Sequence, residues 1–267
     1  MTQTRQYLYL SHGGGPMPLL GDEGHQEMVD TLRAIAQSIP KPDAILVVSA
    51  HWEEKVVTIT SGANPALIYD YYGFPEESYS ITYPAPGNPA LAKQVQEKLS
   101  QFGIESKLDE KRGYDHGLFV PLKVMYPDAD IPCIQVSQLS NLDAVSHLDL
   151  GAALRELDCE NLLVIGSGFS FHNMRAFFAP DMPEIREANQ AFENWLIDTC
   201  TNPELSEADR TQRLVEWAKA PAARFCQPRE EHLLPLHVCY GMAQKPADRF
   251  YELTILGKKA SMYYWQD

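Results

Sequence analysis

Short apolar runs alternate along the chain with longer stretches in which apolar residues return every three or four positions. The short runs predict buried strands at residues 7–10, 44–49, 56–60, 131–136, 162–165 and 250–256. The longer stretches predict helices over 23–39, 89–102, 142–157, 184–199, 207–218 and 233–242, several of them announced by a proline, whose fixed φ suits a first helical turn. Strands and helices in alternation describe an α/β fold with a mostly parallel central sheet flanked by helices on both faces. No repeat or linker interrupts the pattern, so residues 1–267 read as a single catalytic domain. One segment breaks the rhythm: residues 64–89 are crowded with Tyr, Pro and Gly, as in Tyr69-Asp-Tyr-Tyr-Gly-Phe-Pro75 and Tyr83-Pro-Ala-Pro-Gly-Asn-Pro89. A loop of that length in a compact domain is usually a lid or binding loop, and its aromatics either wall a pocket for a flat substrate or anchor the loop to the body.

Composition narrows the partners. A formal net charge of -14 and a pI near 5.0 give nucleic acid and anionic membranes nothing to attract them, and no Lys/Arg cluster overrides that average. The first residues lack the apolar stretch of a secretory signal, and no apolar run approaches the roughly 20 residues that span a bilayer. A cytoplasmic location is expected. The five cysteines are odd in number, widely spaced and free of any C-x-x-C pair, which predicts reduced thiols and neither a disulfide framework nor a thiolate zinc site.

The candidate chemistry lies in histidines placed where strands break into Gly, Ser or Pro turns. These are His12 in Leu10-Ser-His-Gly-Gly-Gly-Pro16, His51 in Val47-Val-Ser-Ala-His-Trp52, His172 in Ile165-Gly-Ser-Gly-Phe-Ser-Phe-His-Asn173 and His232 in Glu230-Glu-His-Leu-Leu-Pro235. Strand-end loops are where α/β folds put their chemistry, and imidazole is the commonest metal ligand, so the four predict a metal site built from distant segments. Gly13, Gly14 and Gly15 would let backbone and a small ligand approach closely. Ser49 or Trp52 could support His51. Glu231 and His232 are neighbours, so only one can easily face a common point; His232 is the expected ligand, with Glu231 as its support or substitute. His116, Gly-flanked beside Asp115, fits a positioned acid or base. His25 and His147 fall on polar helix faces, where solvent exposure is expected, and His237 reads as structural.

As an ordered set, Ser11-His-Gly-Gly-Gly-Pro16, Ser49-Ala-His-Trp52, Tyr114-Asp-His-Gly-Leu118, Gly166-Ser-Gly-Phe-Ser-Phe-His-Asn173 and Glu231-His-Leu-Leu-Pro-Leu236 resembles the class III extradiol ring-cleavage dioxygenases of the 4,5-DOPA dioxygenase type. The resemblance covers almost the whole chain. It implies a catechol substrate such as L-DOPA opened by O2 beside its hydroxyls, in a monomer or homodimer, with Fe(II) for catalysis and Zn(II) as an ion the isolated protein would also carry. By the same resemblance His12, His51 and His232 look like metal ligands, His172 like a fourth ligand or the nearby acid/base, and His116 like a residue facing the substrate. Relatives that cleave protocatechuate use two histidines and a glutamate, where this chain offers Glu231 and His232 side by side, and Phe169 and Phe171 are bulkier than the Ser/Thr-rich turn of relatives. The same ligands would also serve a zinc-dependent hydrolase or amidase, or a catalytically silent metal-binding relative.

Overall fold

Each of the six apolar runs forms a strand in a computed structural model that describes residues 5–267. They are β1 (Arg5–Ser11), β2 (Ala44–Glu54), β3 (Val57–Thr60), β5 (Cys133–Leu139), β6 (Leu162–Gly168) and β7 (Arg249–Ile255). Two more strands, β4 (Ser106–Asp109) and β8 (Lys258–Gln266), complete an eight-stranded sheet of order β4-β3-β5-β2-β6-β1-β8-β7. The central block β5-β2-β6-β1 is parallel, while β8 joins β1 and β7 in antiparallel fashion. The helices are α1 (Gln26–Ser38), α2 (Pro89–Gln101), α3 (His116–Met125), α4 (Ala144–Arg155), α5 (Met174–Phe177), α6 (Pro183–Thr201), α7 (Glu207–Val215), α8 (Ala223–Cys226) and α9 (Leu234–Ala243). Among the described residues no helix is long and apolar enough to cross a membrane.

Burial on both faces explains why the central strands are almost continuously apolar. Leu46 and Val48 pack with Val164 against α2, α4, α6 and α9, whereas Ile45 and Val47 turn the other way with Ile165 onto α1 and α3. Each of these side chains is fully buried, a contribution of about 1.5–3 kcal/mol apiece.

Two of the expected surface histidines are instead interior. His25 is fully buried: its Nδ1 faces Asp22 Oδ2 at 2.6 Å and its Nε2 accepts the Gly14 N–H at 2.9 Å. Gly13 holds a φ of +81°, and a Cβ there would stand 2.8 Å from His25 Cδ2, so this glycine makes room for a protein side chain rather than for a ligand. His147, also buried, is held by the Asp143 carbonyl at 2.7 Å and the Leu139 N–H at 3.3 Å. In both cases the ring satisfies a buried backbone N–H outside the helix, that of Gly14 for His25 and that of Leu139 for His147, which outweighs the polar setting in sequence. His237 is structural as expected, buried with Nε2 at 2.8 Å from the Leu214 carbonyl.

The Tyr/Pro-rich segment is pinned to the body. Tyr83 donates its hydroxyl to the Tyr126 carbonyl and the Ile68 N–H donates to the Tyr114 carbonyl, while Tyr69 and Tyr71 donate to the carbonyls of Ile81 and Ser78 within the segment itself.

A buried acid ties α6 to β8. Glu193 is fully buried and accepts the Ser261 hydroxyl at 2.6 Å, beside Tyr263 Oη at 2.7 Å from the same Ser261 oxygen. Burial raises its carboxyl to about 7 against the partial opposition of the Ser261 and Ser170 hydrogen bonds. The folded protein therefore holds this proton more tightly than the unfolded chain, whose carboxyl titrates near 4.5. Its contribution to stability is complete below that value and disappears as the pH climbs to about 7, a loss on the order of 3 kcal/mol. Urea midpoints across this window should fall for the natural chain relative to Glu193→Gln, which carries no proton to lose. Parallel pH curves for the two proteins would refute the assignment.

Candidate metal centre and active site

The carboxyl ends of β1, β2 and β6 lie side by side, and the chain places one imidazole at or just beyond each. His12 follows β1, His51 lies in β2 within the register shift between Val48 and Glu53, and His172 follows β6. His116 opens α3, and His232 stands two residues before α9. The close seat of α9 depends on Gly168, since a Cβ there would come within 2.0 Å of the His232 carbonyl. A second tether to the same carbonyl comes from the Tyr9 hydroxyl at 2.9 Å.

All five imidazoles that the sequence singled out therefore meet in one place. Ring centroids of His12, His51 and His232 form a nearly equilateral triangle with sides of 4.8, 5.0 and 5.2 Å. A metal about 2.1 Å from each ligating nitrogen lies about 3.2 Å from each ring centre, so ligands about 90–110° apart have centroids separated by about 4.5–5.3 Å. The triangle matches that requirement. His12 Nε2 and His51 Nε2 are 3.0 Å apart, the spacing of two nitrogens at a right angle around one ion. By the same measure two other pairs are too close to share an ion: His51 with His116 at 3.9 Å, and His172 stacked on His232 at 3.4 Å. Donor atoms also gather as two threes, His12 with His51 and His116, and His172 with Glu231 and His232. The ring distances favour the triangle that draws on both.

Each Nδ1 of the triangle faces an oxygen. His12 Nδ1 is 3.0 Å from Ser167 Oγ, and that hydroxyl donates its only proton to the Gly117 carbonyl. Ser167 must then accept from His12, which fixes the ring as the Nδ1–H tautomer and leaves the Nε2 lone pair facing the centre. The Gly117 carbonyl is open for Ser167 because its helical donor would be the N–H of residue 121, which is proline. His51 Nδ1 lies 3.8 Å from Asp70 Oδ2, and His232 Nδ1 lies 3.1 Å from Glu231 Oε1.

Electrostatics keep the triangle uncharged. Burial, then the nearby rings, hold His12 and His51 well below the usual imidazole range, with His232 and His116 the largest neighbours respectively. His232 is lowered to about 3 by burial and by His172, against the pull of Glu231. Neutral imidazole is the ligating form, so these residues fit a metal ion. Burial alone would raise Glu231 and Asp70, yet hydrogen bonds from the histidines beside each keep both carboxyls below their ordinary values.

Two supports differ from expectation. His116 is held not by Asp115 but by Asp70, whose Oδ1 accepts both its ring Nδ1 at 2.8 Å and its backbone N–H at 3.0 Å. Asp115 instead receives hydrogen bonds from Ser49, Arg112 and Gln135, deep in the body. Trp52 gives its indole N–H to Glu54 at 3.2 Å and stacks under Arg112, while Ser49 accepts the backbone N–H of His51. Asp70 lies among the tyrosines of residues 69–72 and Ser167 between Gly166 and Gly168, where a single small polar side chain carries no pattern of its own. Phe169 and Phe171 pack inward against Phe177.

A cleft of about 400 Å³ opens over the centre, lined by His51, His172, Glu231 and His232 and rimmed by Glu53 and Arg229. That volume suits a single-ring substrate. A mostly parallel α/β sheet with buried, neutral imidazoles gathered beyond its strand ends suits a metalloenzyme. The chain matches the model of the catalytic LigB subunit of aromatic ring-opening dioxygenase over residues 6–259, and it belongs to that family. It is an extradiol dioxygenase that opens a catechol ring, and the family's chemistry is metal-dependent. Relatives include a dioxygenase, tasH, of Hapsidospora irregularis, 39% identical over 96% of this chain and 84% of its own length. The 4,5-DOPA dioxygenase extradiol of Portulaca grandiflora is 40% identical over 89% of this chain and 86% of its own. An uncharacterised Escherichia coli K12 protein of known crystal structure superposes with a TM-score of 0.77 and 28% identity, covering 98% of this chain and 99% of that one.

Ser167→Ala should remove the acceptor that sets the His12 tautomer while leaving the fold in place. Metal affinity is expected to fall roughly 10–100-fold, measured by titration of the metal-free protein with Zn(II) and by circular dichroism as a fold control. Unchanged affinity would show that the hydroxyl does not orient the ring.

Proposed function

We propose that this chain, acting as one catalytic domain, opens L-DOPA or a closely similar catechol, with His12, His51 and His232 holding the metal, His172 moving protons and His116 facing the substrate. The observation that carries the assignment is the imidazole triangle, whose sides suit one ion while His116 and His172 each sit too near a member of it to join. The substrate follows relatives named as 4,5-DOPA dioxygenases at 35–40% identity over most of the chain. Fe(II) is the catalytic ion in this reading and Zn(II) a competitor for the same three nitrogens. The five free cysteines accord with a cytoplasmic site of action.

An Fe(II) ion held there would supply open coordination positions and the electron transfer that lets O2 react with the ring. The protein's own part is binding and proton handling. Three imidazoles on one side leave the cleft side free for substrate. His172 is partly exposed, stacks on His232 and has Glu231 Oε1 3.4 Å from its Nδ1. From that position its ring takes a catechol hydroxyl proton on docking and returns one to oxygen as the ring opens, with Glu231 steadying the charged form. Asp70 accepts from His116 Nδ1 and so fixes the ring's orientation beside His12 and His51. Both atoms of O2 enter the product when the bond beside the paired hydroxyls breaks.

Alanine at His12, His51 or His232 should abolish stoichiometric metal binding. Alanine at His172 or His116 should leave metal bound and cut turnover at least about 100-fold, the usual scale for a positioned acid/base. The assay is O2 uptake and formation of a yellow ring-opened product by Fe(II)-loaded protein with L-DOPA. Loss of metal from His172→Ala would make that residue a ligand, and O2-independent ester or amide hydrolysis would replace the reading with a zinc hydrolase.

A further inference from the structure

At the rim of the cleft Arg229 spreads both guanidinium nitrogens over one carboxylate: Nη1 and Nη2 donate to Glu53 Oε1 and Oε2, each at 2.6 Å. Nη1 also lies 3.4 Å from Glu231 Oε2, and the other oxygen of Glu231 meets His172 and His232. One carboxylate thus separates the guanidinium from the centre. Arg229 is the only Lys or Arg among the described residues lining the cleft. It is half exposed while Glu53 is largely covered, so the pair presents its cation to solvent and its anion beside it.

Exposed ion pairs contribute little to stability, so fold maintenance is a weak reason for so well-formed a pair. Recognition is a better one. A guanidinium has five donors in a rigid fork, of which two are committed to Glu53, and the remainder can take a second carboxylate. Glu53 can in turn accept an ammonium. A fixed cation and anion side by side complement a molecule that carries the opposite pair in the opposite order. The rim also selects against a plain anion, because Glu53 and Glu231 flank the single cation in a chain of net charge -14.

We propose that Arg229 and Glu53 form the subsite for the far end of the substrate and restrict it to catechols that bear an α-amino acid, the guanidinium taking the carboxylate and Glu53 the ammonium. This rests on the cleft being the catechol site.

The test compares four catechols on Zn(II)-loaded protein, whose redox-silent ion permits equilibrium titration: L-DOPA, dopamine, 3,4-dihydroxyphenylpropionate and 4-methylcatechol. The natural chain should bind L-DOPA at least roughly tenfold more tightly than 4-methylcatechol, the scale of a charge-assisted contact. Arg229→Gln should abolish the preference for L-DOPA over dopamine, and Glu53→Gln its preference over 3,4-dihydroxyphenylpropionate. If Glu53 only steered Arg229, dopamine binding would not respond to Glu53→Gln, and the ammonium half of the proposal would fail. Equal binding of all four ligands, or variants that weaken all four alike, would overturn it entirely. O2 uptake by the Fe(II)-loaded chain is read separately: the predicted binding pattern without ring opening keeps the subsite and defeats the catalytic reading, whereas ring opening of all four with equal kcat/KM does the reverse.

Discussion

Taking imidazole out of water favours its uncharged form, and this constraint governs everything built around the cleft. Five rings crowd into one place, and if they were protonated their mutual repulsion would be severe. Burial removes that charge from His12, His51 and His232 and leaves the Nε2 atoms of His12 and His51 facing each other at 3.0 Å at the centre. A cluster of that kind is incomplete without an electron-pair acceptor. The carboxylates Asp70 and Glu231 work at the outer edge, where they orient rings and do not occupy the middle.

The sheet makes such crowding possible. Parallel strands bring the loops after their carboxyl ends to one edge, so segments separated by scores of residues share a site without any long excursion. The strands in question are buried on both faces, so a one-residue slip would exchange the side chains packed against the two helix layers and misfit both. The loop from the far side of the chain then closes the arrangement through Asp70, and α9 delivers His232 over a glycine-backed strand.

Much of this was legible in the sequence. Six strands and the principal helices follow from periodicity, and the site histidines were visible because each sits at a strand end among turn residues. What escaped has physical reasons. Strand β8 carries Met-Tyr-Tyr-Trp, a run paired with β1 and β7 along its edges and buried in the cores on both faces, with no alternation to announce it. Strand β4 is short and carries polar residues at the sheet edge. His25 and His147 look exposed on a helical wheel, because a wheel shows side-chain direction and not the unpaired backbone groups nearby. Asp70 could not be tied to His116 since their partnership spans a loop, and adjacency in sequence pointed to Asp115, whose carboxylate turns inward.

The proline in α3 has a reach beyond its own helix. Its missing donor is a covalent fact, indifferent to acidity, salt or occupancy, and through the vacant Gly117 oxygen it decides which nitrogen of a ring on a different strand keeps its hydrogen. The protonation pattern at the centre is thereby wired into the backbone before any ion arrives, and binding need not rearrange it.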